Sequence, residues 1–254
     1  MYSAAPTPRA GPWTNGGSIV VAGTNASDHE TAVARLRPDG RLSAGFGGDG
    51  MVTVAAPENG SLRALAVDVD ARGRVVTAGN EFVAARFAPD GTPDAGFGAG
   101  GVVGVDAMIA SSVDLLRGGR IVSIGDDLVP GMVVRRLLPD GASDPSFGQG
   151  GLSRIPAAAC ACDPRAGTVH RGRAVVAAEA QYGEGAGEKF GFGIARMTRS
   201  GRLDASFGTG GVTITPFAAY DVEPSDVAVG AGDRIVAVGP SGFQSFMVVR
   251  YLWR

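Results

Sequence analysis

The chain has 254 residues, 44% of them hydrophobic, with 23 basic and 25 acidic side chains and a net charge of −2. It is too apolar for a disordered chain and too evenly charged to neutralise a phosphate backbone. No run approaches the 18 apolar residues that a membrane-spanning helix needs.

Residues 1–16 carry prolines at 6, 8 and 12 and no apolar stretch of signal-peptide type, which predicts an irregular segment and a cytoplasmic chain, or a secreted or surface one if a leader precedes it. From Gly17 on, the chain repeats. Four segments align: RLRPDGRLSAGFGGDGMVTV from Arg35, RFAPDGTPDAGFGAGGVVGV from Arg86, RLLPDGASDPSFGQGGLSRI from Arg136 and RMTRSGRLDASFGTGGVTIT from Arg196. A fifth begins at Arg250 as RYLWR. A second landmark precedes each: GSIVVAG at Gly17, GRVVTAG at Gly73, GRIVSIG at Gly119, GRAVVAA at Gly172 and DRIVAVG at Asp233. The units run roughly over 17–61, 62–110, 111–165, 166–223 and 224–254.

Each unit holds four strand-like runs, here A to D, separated by glycine-rich turns. In the second unit they fall at 62–67, 74–79, 82–87 and 101–105. Strand B is apolar on both alternating faces, the pattern of a strand buried on both sides. About 50 residues and four strands per unit predict an all-β fold, a β-propeller of about five four-stranded blades. Strand A and strand D occur clearly only four times, so either the chain is a five-bladed ring with a thin seam, residues 1–16 supplying the missing pieces, or it is a fragment of a longer protein. A β-solenoid is the competing architecture.

The pattern GR-I/V-V-x-x-G, then A-R-F/L-x-PDG, then L/P-D-x-x-FG-x-GG-V resembles the delta-60 repeat of bacterial proteins. The resemblance covers residues 17–254 and implies a β-propeller, with no biochemical activity to carry over. The first copy departs with Ser43 where the others have Asp94, Asp144 and Asp204, and the fourth with Arg199-Ser200 in place of Pro-Asp.

Residues that recur in every unit read as structural. Pro-Asp-Gly suits a tight turn, with Asp39, Asp90 and Asp140 bonding their own backbone. Phe46, Phe97, Phe147 and Phe207 read as plugs that pack the C–D loop. Arg35, Arg86, Arg136, Arg196 and Arg250 are expected to pair with Asp94, Asp144 and Asp204, against the alternative of a ring of ligand-binding arginines.

Function is sought in what does not repeat. The B–C loops are read as 24–30, 80–81, 126–131, 179–190 and 240–245, and the D–A loops include 56–60, 156–164 and 216–224. They place Asp28, His29, Glu58, Asp126, Asp127, Glu179, Tyr182, Glu188, Lys189, Tyr220 and Asp221 on a candidate binding face. Cys160, Cys162 and His170 resemble half a metal site, without the four ligands of zinc spacing, so no metal or cofactor is expected. Two cysteines make no disulfide framework. Asp68, Asp114 and Asp226 lie in or just after strand A, where paired carboxylates would serve glycoside hydrolysis. No nucleophile elbow of G-x-S-x-G type is present. The expected function is a non-catalytic, monomeric interaction or structural module for a protein or glycan ligand, without nucleic acid or membrane insertion. The alternative is a carbohydrate-active enzyme, a glycosidase or lyase, using channel carboxylates.

Overall fold

A computed structural model describes residues 17–24, 30–55, 63–80, 84–104, 108–127, 131–156, 159–160, 162–182, 189–217, 222–241 and 245–253. Among them it holds 18 β-strands and no helix. The first sheet is β1 (Ile19–Thr24), β2 (Glu30–Leu36) and β3 (Met51–Ala55). The second is β4 (Ala64–Val69), β5 (Val75–Gly79), β6 (Ala84–Phe87) and β7 (Val102–Val103). The third is β8 (Met108–Leu115), β9 (Ile121–Asp127), β10 (Gly131–Leu137) and β11 (Leu152–Pro156). The fourth is β12 (Cys162–His170), β13 (Arg173–Tyr182), β14 (Lys189–Arg196) and β15 (Val212–Pro216). The fifth is β16 (Asp226–Gly230), β17 (Arg234–Ser241) and β18 (Ser245–Leu252). Neighbouring strands are antiparallel wherever their register is defined. Each repeat thus makes one sheet in the order A-B-C-D. The strand A of the first and the strand D of the fifth are not among the described strands.

By its internal contacts the chain divides into two units, Met1–Ser123 with Leu137–Ala142, and Ile124–Arg136 with Ser143–Arg254. In the first, Val20, Val33, Phe46, Val67, Val75 and Phe87 share one apolar core. In the second, Val175, Ala177, Phe192, Ile194, Phe207, Ile235 and Tyr251 share another. Strand B behaves as its composition requires: every residue of β5 is buried, because its side chains meet apolar neighbours on both faces.

The recurring arginine is the hub of each junction. Arg136 donates from Nε to Asp144 Oδ2 at 2.8 Å, from Nη2 to Ser146 Oγ at 2.8 Å and from Nη1 to the Arg199 carbonyl of the next repeat at 2.7 Å. Its guanidinium lies over the Phe147 ring, 4.6 Å from the centroid. Arg86 repeats the set with Asp94, Phe97 and the Pro139 carbonyl. Arg196 does so with Asp204, Phe207 and the Trp253 carbonyl. Arg35 reaches the Pro89 carbonyl and covers Phe46. Its Nε is buried without a partner, because Ser43 stands where the other copies offer a carboxylate. The expected pairing with Asp94, Asp144 and Asp204 is therefore present, and it extends across to the following repeat.

A second link runs along the backbone. The N–H after each plug donates to the carbonyl of the next turn: Gly47 to Asp90 (2.7 Å), Gly98 to Asp140 (2.8 Å) and Gly148 to Ser200 (2.9 Å). Both links end on carbonyls, so the side chains at those turn positions are free to change. This explains why Arg199-Ser200 replaces Pro-Asp without loss. There the Thr198 hydroxyl accepts the Arg202 N–H that an aspartate accepts elsewhere. The glycine is the part that cannot change. Gly201 has φ +84°, and a Cβ there would lie 3.0 Å from both the Phe147 ring and the Gly148 nitrogen.

Asp144 shows the electrostatic side of the junction. Burial works against its charge. The Ser146 hydroxyl and N–H and the Arg136 guanidinium outweigh it and hold the carboxyl at about 2. A carboxylate depressed in the folded state stabilises it above its ordinary value, and that contribution fades as pH falls through the folded value. Asp144 therefore contributes about 2 kcal/mol near neutrality, lost between about pH 4 and pH 2. Acid titration followed by circular dichroism checks this: Asp144→Asn is expected to be less stable at pH 7 and to lose less of its stability over that window.

Candidate functional site

Several residues expected in loops lie on strands instead. β13 and β14 stay paired out to Tyr182↔Lys189, so Glu179, Tyr182 and Lys189 belong to a hairpin arm rather than to a loop spanning 179–190. The reason is that polar side chains on the open side of a hairpin do not interrupt its backbone ladder. Asp126 and Asp127 likewise close β9, and Cys162, Asp163 and Pro164 open β12 within the expected loop 156–164. Asp126 is half-buried. Asp28, His29, Glu58, Glu188, Tyr220, Asp221 and the Asp127 side chain lie outside the described residues.

At this end of the fourth sheet a charged cluster forms that the repeat pattern does not contain. Asp163 stands directly opposite Glu179 in the β12–β13 ladder. The register shifts between Pro164 and Ala166, leaving Arg165 as the extra residue of a bulge, a device that re-aims a side chain. Arg165 Nη2 meets Glu179 Oε2 at 2.9 Å, Asp163 Oδ2 at 3.0 Å and Glu223 Oε1 at 3.4 Å. Burial opposes the guanidinium charge, but the Glu179, Asp163 and Glu223 carboxylates outweigh it and raise its pKa further. Three residues further along β13, Tyr182 Oη is buried with no hydrogen-bond partner.

The same shift of register recurs between Ala64 and Ala66 in the second sheet, where the extra residue is Leu65. The bulge is thus a repeat feature, and the fourth repeat has loaded it with charge. Arg165 was not among the residues singled out from the sequence. Aligning the repeats on their bulges, Arg165 against Leu65, would have found it.

Two of the carboxylates proposed for glycoside chemistry, Asp68 and Asp226, accept backbone N–H groups. Asp68 accepts the Leu115 N–H of the next repeat at 2.7 Å and the Val69 N–H at 2.7 Å. Burial raises its pKa against those two bonds, and its role is to join β4 to β8. Asp226 is exposed and caps its neighbour's N–H, Val227 at 2.8 Å.

The half metal site is also dispersed. Cys160 and Cys162 pair as a disulfide, while His170 ends β12, eight residues from Cys162. At strand rise that is about 26 Å. There His170 Nε2 meets Asp233 Oδ1 at 2.9 Å, and its ring stands edge-on to Trp253. Among the described residues no three His, Cys, Asp or Glu are grouped to hold a metal ion.

No family model and no curated protein matches the chain. Solved structures do. A streptogramin B lyase aligns with a TM-score of 0.50 at 10% identity, over 92% of this chain and 77% of that one. A GH43 endo-arabinanase from Bacillus licheniformis aligns at 0.44 and 16%, over 96% and 92%. A Bacillus subtilis arabinanase aligns at 0.44 and 15%, over 97% and 94%. The likeness to the lyase is one of fold. The chain is all-β and propeller-like.

Proposed function

We propose that the five repeats are five blades of one propeller of the delta-60 kind, and that it works as a non-catalytic interaction module. The supporting observation is how its polar residues divide. The recurring Arg side chains reach carbonyls of the next repeat, and the recurring Asp and Ser side chains hold the arginine of their own repeat. One cluster of non-recurring charges lies at the open end of β12 and β13, where three carboxylates face one guanidinium. Such a surplus of negative charge, partly exposed, suits a cationic segment of a protein ligand.

The test is fluorescence anisotropy with a labelled lysine-rich octapeptide. Binding is expected to weaken at least tenfold, about 1.4 kcal/mol, in the Glu179→Gln/Glu223→Gln chain. Equal binding by both chains overturns the reading. Release of reducing sugar from arabino-oligosaccharides, lost in Glu179→Gln, would favour the carbohydrate-active enzyme instead.

A further inference from the structure

Between the third and fourth repeats the junction opens into a cleft whose charge the repeat pattern does not explain. Its volume is about 900 Å³, within the range of about 300–1,000 Å³ that small-molecule sites occupy. The buried part of its lining is apolar: Met197 is 0% exposed and Ile155 1%. Leu203 lines it half-buried. Arg154 of β11 and Arg202 of the turn after β14 line it as exposed side chains. Among the described residues that line it, none carries a carboxylate.

The two preceding junctions show that this charge is particular to the third. Aligned on the plug phenylalanine, Arg154 stands where the first repeat has Thr53 and the second Gly104. Aligned on the turn glycine, Ser200 and Arg202 stand where the second repeat has Asp90 and Thr92 and the third Asp140 and Ala142. At these three positions each earlier junction carries one carboxylate and no cation. The third carries two cations and no carboxylate. The change from Pro-Asp to Arg199-Ser200 thus leaves the backbone of the turn intact and inverts the charge beside it. The Ser200 hydroxyl, 3.1 Å from Thr198 Oγ1, is neutral where the other turns present an anion.

We infer that this cleft binds a small organic oxyanion, a carboxylate or a phosphate ester carried on an apolar body. A guanidinium offers paired N–H donors in a planar fork that matches either group. Two of them beside apolar, low-dielectric walls concentrate positive potential in the cleft, in a chain whose net charge is −2. Met197, Ile155 and Leu203 take the ligand's apolar body. The cleft shares no residue with the Arg165 cluster, so either reading survives the other's failure.

The probes are phenyl phosphate, benzoate and the neutral benzyl alcohol, each titrated into the full chain by saturation-transfer difference NMR. Saturable binding of at least one anion is expected, and which anion binds tells the phosphate ester from the carboxylate. Two variants test the site. Arg154→Gly/Arg202→Ala copies the second junction, and Ser200→Asp restores the acid of the other turns without touching either arginine. An aspartate fits there, since Asp140 Oδ1 accepts the Ala142 N–H at 3.0 Å in the equivalent turn. Each variant should weaken anion binding at least tenfold. All three side chains are exposed, so the thermal midpoint should not move, which separates lost binding from lost folding. Three results would overturn the inference: no saturable binding of either anion, benzyl alcohol bound as tightly as the anions, or anion binding unchanged in both variants.

Discussion

Arg136→Met lowers the unfolding free energy by about 3–5 kcal/mol, read from chemical denaturation at pH 7. Methionine keeps much of the stem and the packing over Phe147. It removes the positive charge from Asp144, which is 2% exposed, and three donors at once: to Asp144, to Ser146 and to the Arg199 carbonyl. A buried carboxylate left without its counter-charge costs far more than a surface pair is worth. Arg37→Met is the control. Arg37 meets Asp39 at 3.7 Å with both side chains half exposed, and its loss should cost less than about 1 kcal/mol. For a chain of this size each kcal/mol moves the midpoint by about 2–4 °C, so the two variants separate on a simple melt.

Phe147→Ala costs about 3–5 kcal/mol by the same measurement. The ring is 2% exposed, lies under Arg136, and packs against Gly201 of the following repeat. Removing it opens a cavity that the positive-φ turn at Gly201 is poorly placed to fill. Phe147→Leu restores much of the volume and loses the ring's attraction for the guanidinium, leaving a cost of about 1–2 kcal/mol. A large difference between Ala and Leu would show that filling space dominates. Equal losses would show that the ring face does.

The five-fold repeat, the B strands and the identity of the plugs are legible because they rest on periodic apolar residues and on glycines that punctuate turns. Phe46, Phe97, Phe147 and Phe207 are all buried. The bonds across junctions are not legible in the same way. They end on the carbonyls of Pro89, Pro139, Arg199 and Trp253, and a carbonyl belongs to every residue alike. That is also why the change from Pro-Asp to Arg199-Ser200 reads as a departure in the sequence and is none in the structure.

Part of the candidate face lies on strands rather than in loops for a related reason. Glu179, Gln181 and Tyr182 look like loop because they are polar and precede a glycine-rich run, yet their backbone completes a ladder with Lys189, Phe190 and Phe192. Arg165 escaped notice because a bulge shifts its register relative to its neighbours, and alternation alone puts it on the ladder with no special role. Cys160 and Cys162 suggested a ligand pair because their spacing was read without the geometry that brings their sulfurs together.

A double-mutant cycle on Arg136 and Phe147, using Arg136→Met, Phe147→Leu and the combined chain, measures whether the recurring residues act as one junction. The expected interaction energy is about 1–3 kcal/mol, the double variant costing less than its two single changes together. Costs that add to within about 0.5 kcal/mol would contradict the junction and leave the recurring arginine free for another role.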